Sequence, residues 1–84
     1  MTPRENALLI LLELGEYAGP MDAFMRESVT SVRAKLNCAE EESERLIKSL
    51  QDAGEIDFSM TSGGQLPAGE NIAVAKWYWY IPQS

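Results

Sequence analysis

The chain has 84 residues, a formal net charge of −6, one cysteine and no histidine. That length supports one modest core, in a fold that buries roughly 60–65% of the surface its unfolded chain exposes. A single cysteine excludes an intramolecular disulfide, the lack of histidine removes the commonest general base and transition-metal ligand, and the acidic balance gives no global attraction for a polyanion.

The longest purely apolar run, Ala7 to Leu12, stops at Glu13 and is far too short to span a bilayer. No small-residue cleavage site follows it, so the start does not read as a signal peptide. These features predict one soluble, cytoplasmic domain over residues 1–84, without membrane contact.

Thr2-Pro3-Arg4-Glu5 predicts a helix start: a hydroxyl cap, a proline at the first helical position and a glutamate placed for a capping box. Ala7, Leu8, Leu9, Ile10, Leu11, Leu12 and Leu14 then give so wide an apolar surface that this helix belongs at the centre of the core. It is expected to end near Gly15, or by Gly19-Pro20 at the latest. A second helix is predicted from about Asp22 to Leu36. Met21, Met25, Val29, Val32 and Leu36 form its stripe, flanked by Phe24 and Ser28, and Asn37 closes it because Asn tolerates the left-handed conformation.

The third helix lies in CAEEESERLIKSLQDAGEI, residues 38–56, with Ser43, Leu46, Ile47, Leu50 and Ala53 on one face and Gly54 after it. There the period changes. Ile56, Phe58 and Met60 alternate with Glu55, Asp57 and Ser59, which predicts a strand with one wet face. The loop TSGGQLPAGEN separates it from a second strand, about Ile72 to Ile81, and the two strands can pair as an antiparallel hairpin.

Three helices and a hairpin, with a short turn between the second and third helices, resemble the winged helix-turn-helix superfamily. The stretch VRAKLNCAEEESERLIKSLQDAGEI carries the likeness, through Leu36, Ile47, Leu50, Gly54 and Ile56. The resemblance implies an α+β winged helix: a three-helix bundle with a helix-turn-helix and a C-terminal two-stranded antiparallel β-wing. It also implies a DNA-binding transcriptional regulator acting as a homodimer, with the third helix at the major groove of double-stranded DNA and Arg33, Lys35, Arg45 and Lys48 as cationic contacts. The sequence departs from that pattern at three places. Ala39, a poor cap, stands where Ser or Thr is common, with Asn37 as an alternative cap. Cys38 takes the apolar turn position. The loop Thr61 to Asn71 has one acid, Glu70, and no basic residue.

Charge argues against the DNA role. The residues nearest the bases would be Glu40, Glu41, Glu42 and Glu44, whereas duplex binding rests largely on neutralising phosphate. The same carboxylates have a structural explanation. They suit the first turn of a helix, and Glu41–Arg45 and Glu44–Lys48 are i,i+4 pairs in the favourable order. Arg33 and Lys35 are freer, and Arg4, Arg26 and Lys76 complete the cations.

In KWYWY, Trp77, Trp79 and Ile81 alternate with Tyr78 and Tyr80. One set is expected in the core. The other is a candidate protein or dimer interface, so Trp77, Tyr78, Trp79 and Tyr80 are the candidate interface residues. A stacking platform for single strands would need a positive groove, and only Lys76 is near.

No catalytic constellation emerges. Cys38 lacks an evident cationic activator, TSGGQ lacks the lysine of a phosphate loop, and the acids have no calcium-loop spacing. The expectation is a protein without enzymatic activity, metal or organic cofactor. Two functions remain open: a DNA-binding regulator, or an acidic winged-helix interaction module that binds protein and not DNA.

Overall fold

The computed structural model describes residues 1–61 and 75–82. The helices α1 (Pro3–Glu13), α2 (Met21–Leu36) and α3 (Glu40–Asp52) pack with the strands β1 (Tyr17–Ala18), β2 (Asp57–Thr61) and β3 (Lys76–Tyr80). The strands form one antiparallel sheet in the order β1-β3-β2. This is an α+β architecture, compatible with a winged-helix-like layout. Among the described residues, no helix is long and apolar enough to cross a membrane.

Local chemistry sets most boundaries. The Glu5 N–H donates to Thr2 Oγ1 at 3.2 Å and the Thr2 N–H donates back to Glu5 Oε1 at 3.4 Å, which completes the capping box. Helix α2 ends where Asn37 turns left-handed, at φ 53° and ψ 49°. Asn37 therefore closes α2, and the N-cap of α3 is Ala39, which supplies no side-chain hydrogen bond. After α3, the N–H of Gly54 donates to the Gln51 carbonyl and that of Glu55 to the Leu50 carbonyl, each at 3.0 Å. Gly54 has φ +72°, a conformation glycine adopts without strain.

The sheet has three strands where the sequence predicts two. The additional strand, β1, pairs Tyr17 with Trp77 and Ala18 with Lys76. Gly19 makes this possible. Its φ is +149°, a Cβ there would lie 3.1 Å from the Tyr17 ring, and its N–H continues the pairing to the Ala75 carbonyl at 3.2 Å. The expected second strand is realised as Lys76–Tyr80. Positions 72–74, and the loop from 62 to 71, lie outside the described residues.

One core joins helices and sheet: Ala7, Ile10 and Leu11 from α1, Phe24 and Val32 from α2, Ile47 and Leu50 from α3, then Ile56 and Trp79. Helix α2 presents a different face from the one its apolar spacing predicts. Phe24, Ser28 and Val32 are buried, Met25 and Val29 are half-buried, and Met21 is exposed. Two hydrogen bonds account for the buried serine. The Trp79 indole N–H donates to Ser28 Oγ at 2.7 Å, and that hydroxyl donates to the Phe24 carbonyl at 2.9 Å. A polar side chain thus occupies the core without an unsatisfied group.

Phe24 is the hub of the aromatic packing. Its ring centroid lies 5.5 Å from Trp79, 6.1 Å from both Trp77 and Phe58, and 6.2 Å from Tyr17. These spacings suit offset and tilted aromatic contacts. Ser43, also buried, donates to the Val29 carbonyl at 2.7 Å and joins α3 to α2. Ala53 is the exposed C-cap of α3 and does not extend its buried face. Ile81 follows the end of β3 and is exposed, so it does not extend the tryptophan side.

Candidate functional site

The turn Asn37–Ala39 sets α3 beside α2 and directs its charged side outward. Ser43, Ile47 and Leu50 face the core, whereas Glu40, Glu41, Glu44, Arg45 and Lys48 are exposed. Between the two helices runs an open groove of about 710 Å³. Met25, Val29 and Ile47 supply its apolar lining. Glu40, Glu41 and Glu44 contribute carboxylates, and Arg26, Arg45 and Lys48 contribute cations.

The ion pairs differ from the expected Glu41–Arg45 and Glu44–Lys48. Arg45 Nη1 lies 3.0 Å from Glu42 Oε2, and Lys48 Nζ lies 3.5 Å from Asp52 Oδ2. Glutamate three residues back and aspartate four residues ahead sit one turn away on the same helical surface, so they compete with the i,i+4 partners. Both pairs are largely exposed and therefore contribute little to stability. Among the described residues, Glu40, Glu41 and Glu44 form no salt bridge.

The four predicted cationic contacts do not form one patch. Arg45 and Lys48 share the groove, whereas Arg33 and Lys35 are not part of its lining. Lys35 is directed to α1, with Nζ 3.8 Å from Glu13 Oε2. Arg33 is exposed without an ion pair among the described residues. Arg4 of α1 lines a neighbouring cleft with Arg45 and Lys48, and in the α2–α3 groove the cation that joins them is Arg26 of α2. Its position relative to α3 depends on how the helices pack, and the only sequence signal is its place beside Met25 and one turn before Val29.

The aromatic strand is divided by its two faces. Trp79 is 5% exposed and Trp77 is half-buried, with its indole N–H donating to the Gly19 carbonyl at 2.8 Å. Tyr78 and Tyr80 occupy the outer face, their rings 5.9 Å apart, opposite Ser59 and Asp57 of β2. An interface on this face can use the tyrosines, while the tryptophans face the core. Cys38 is half-buried in the α2–α3 turn. Among the described residues, no group of three or more potential ligands is placed to hold a metal ion.

No family model matches this chain, and no curated protein or solved structure is significantly similar to it.

Proposed function

We propose that the chain is a winged-helix-like interaction module that works through the α2–α3 face and binds protein in preference to duplex DNA. The observation that carries this reading is the charge arrangement of α3. Its exposed first turn presents Glu40 and Glu41, Glu44 follows a turn later, and its two cations are engaged by Glu42 and Asp52. A DNA-binding surface gains most of its affinity by neutralising phosphate, and this one would first have to overcome its own carboxylates. A protein partner can use both signs of charge and the apolar lining between them.

The DNA-binding regulator is the second reading. It is favoured by the helix–turn–helix order of α2 and α3 and by the meeting of Arg26, Arg45 and Lys48 in one groove. A fluorescence-anisotropy titration with a random duplex of roughly 25–30 base pairs separates the two, at about 50 mM and then about 200 mM salt. The interaction module gives no saturable binding at either salt. Binding at low salt that collapses at the higher concentration overturns it in favour of DNA.

A further inference from the structure

We infer that Asp57 guards the free edge of the sheet, holding shut a surface on which β2 of a second copy of this chain would otherwise pair.

Main-chain geometry identifies that edge. In an antiparallel sheet, alternate residues turn their N–H and carbonyl groups toward a given neighbouring strand. The Gly19 N–H donates to the Ala75 carbonyl, so Ala75, Trp77 and Trp79 turn theirs toward β1. Lys76, Tyr78 and Tyr80 therefore turn theirs toward β2, where they meet Thr61, Ser59 and Asp57. Phe58 and Met60, opposite Trp79 and Trp77, are left with main-chain groups that point away from the sheet. Among the described residues, no strand lies beyond β2 to receive them.

The composition of the edge suits self-pairing. Exposed edges are ordinarily blunted by lysine, proline or a bulge. The strand DFSMT contains neither residue, and its register on β3 is continuous. A two-fold axis at Ser59 sets Phe58 opposite Met60 of the partner subunit, with the outward N–H and carbonyl of each facing those of the other. The same register sets Asp57 opposite Thr61 of the partner subunit, so Asp57 does not meet its own copy. Phe58 is half-buried and Met60 is 50% exposed, both on one side of the strand, so pairing would also cover apolar surface.

Asp57 interrupts this. Its Oδ1 accepts the Phe58 N–H at 2.8 Å and so occupies a donor that an added strand needs. To pair, the edge must exchange this charge-assisted hydrogen bond for a neutral one to a carbonyl. The displaced carboxylate would then enter beside Thr61 of the partner subunit. In each copy the Thr61 hydroxyl donates to Glu16 Oε2 at 3.4 Å, so a second carboxylate already stands there, and Lys76, opposite Thr61 in β3, has to serve both. The Asp57 bond is exposed and joins adjacent residues, so it ties no two elements together. Its consequence lies in what the edge can accept.

Sedimentation equilibrium at about 150 mM salt, with chain up to about 1 mM, tests the guard. The unaltered chain and Met60→Pro should show the same state, because an edge strand tolerates proline where the lost N–H faces outward. Asp57→Ala should associate at least about tenfold more tightly than the unaltered chain. Combining Asp57→Ala with Met60→Pro should abolish that gain, which ties it to the β2 edge. Asp57→Asn keeps an oxygen acceptor without the charge and should associate less tightly than Asp57→Ala. Circular dichroism confirms the fold of each variant. Met60→Lys, which sets a charge opposite Phe58 of the partner subunit, replaces the proline if that variant unfolds.

An Asp57→Ala chain that associates no more tightly than the unaltered one overturns the inference. So does an equal gain from Glu27→Gln, which removes an exposed charge of α2 and would make net charge the cause. A gain that survives Met60→Pro and Met60→Lys puts the contact elsewhere and refutes the β2 edge. Equal association of Asp57→Asn and Asp57→Ala refutes the hydrogen bond as the guard. An unaltered chain whose dimer is lost with Met60→Pro has an edge already open, and that also overturns the inference.

Discussion

The two faces of β3 carry aromatic side chains of similar size, yet they do different work. Trp79 stacks on Phe24 and donates to Ser28, and Trp77 packs beside them and donates to Gly19. Tyr78 and Tyr80 lie across from Ser59 and Asp57 on the outer face. The difference is set by what each polar atom can reach. An indole N–H entering the core must find an acceptor there, and α2 and the Gly19 turn provide one each. A strand alternating two aromatics is therefore oriented by its inward hydrogen bonds as well as by area.

Replacing the central inward ring should have the largest effect. Trp79→Ala empties the space beside Phe24 and Phe58 and should cost about 3–5 kcal/mol, enough to unfold much of a domain this small. Urea unfolding followed by far-UV circular dichroism measures that loss. A cost below about 1 kcal/mol would mean that the two faces are energetically alike.

The acceptor is the next point to alter. Ser28→Ala keeps the ring but leaves the buried indole N–H without its partner, and should cost about 1–3 kcal/mol in the same assay. No change would mean that burial alone orients β3. On the outer face, Tyr80→Ser should cost less than about 1 kcal/mol, the scale of a cross-strand contact on a wet surface. A larger loss in thermal melts would show that the tyrosine face also carries the fold.

The sequence makes some parts of this architecture legible and conceals others for physical reasons. Thr2, Asn37 and Gly54 mark boundaries because each meets a local backbone need that no distant contact alters. Strand β1 has only two residues, too few for alternation to register, and depends on a pairing made with residues almost sixty positions away. A hydrophobic stripe misplaces the buried face of α2 because it counts Ser28 as polar. The burial of that serine depends on Trp79, which arrives from β3.

The candidate site shows the same division. The charges of α3 are evident in EEESERLIK, but their ion-pair partners depend on side-chain rotamers among several neighbours one turn away. Arg26, Met25 and Val29 join the site through the packing of α2 on α3, which the Ser43 hydrogen bond to the Val29 carbonyl helps to hold. Pattern along the chain finds one wall of a groove. The opposite wall is a property of packing.

The two ends of α3 are secured by different forces. At its beginning, Ala39 offers no oxygen to the exposed amides, and Glu40, Glu41 and Glu42 act on them through the helix dipole. At its end, the Gly54 turn closes directed backbone bonds, Arg4 Nη2 donates to the Ser49 carbonyl at 3.2 Å, and the same guanidinium pairs with Glu55. Dissolved ions attenuate the first kind of hold far more than the second. The start of α3 thus depends on charge alone for its unsatisfied amides, whereas its final turn is tied to α1 by directed bonds.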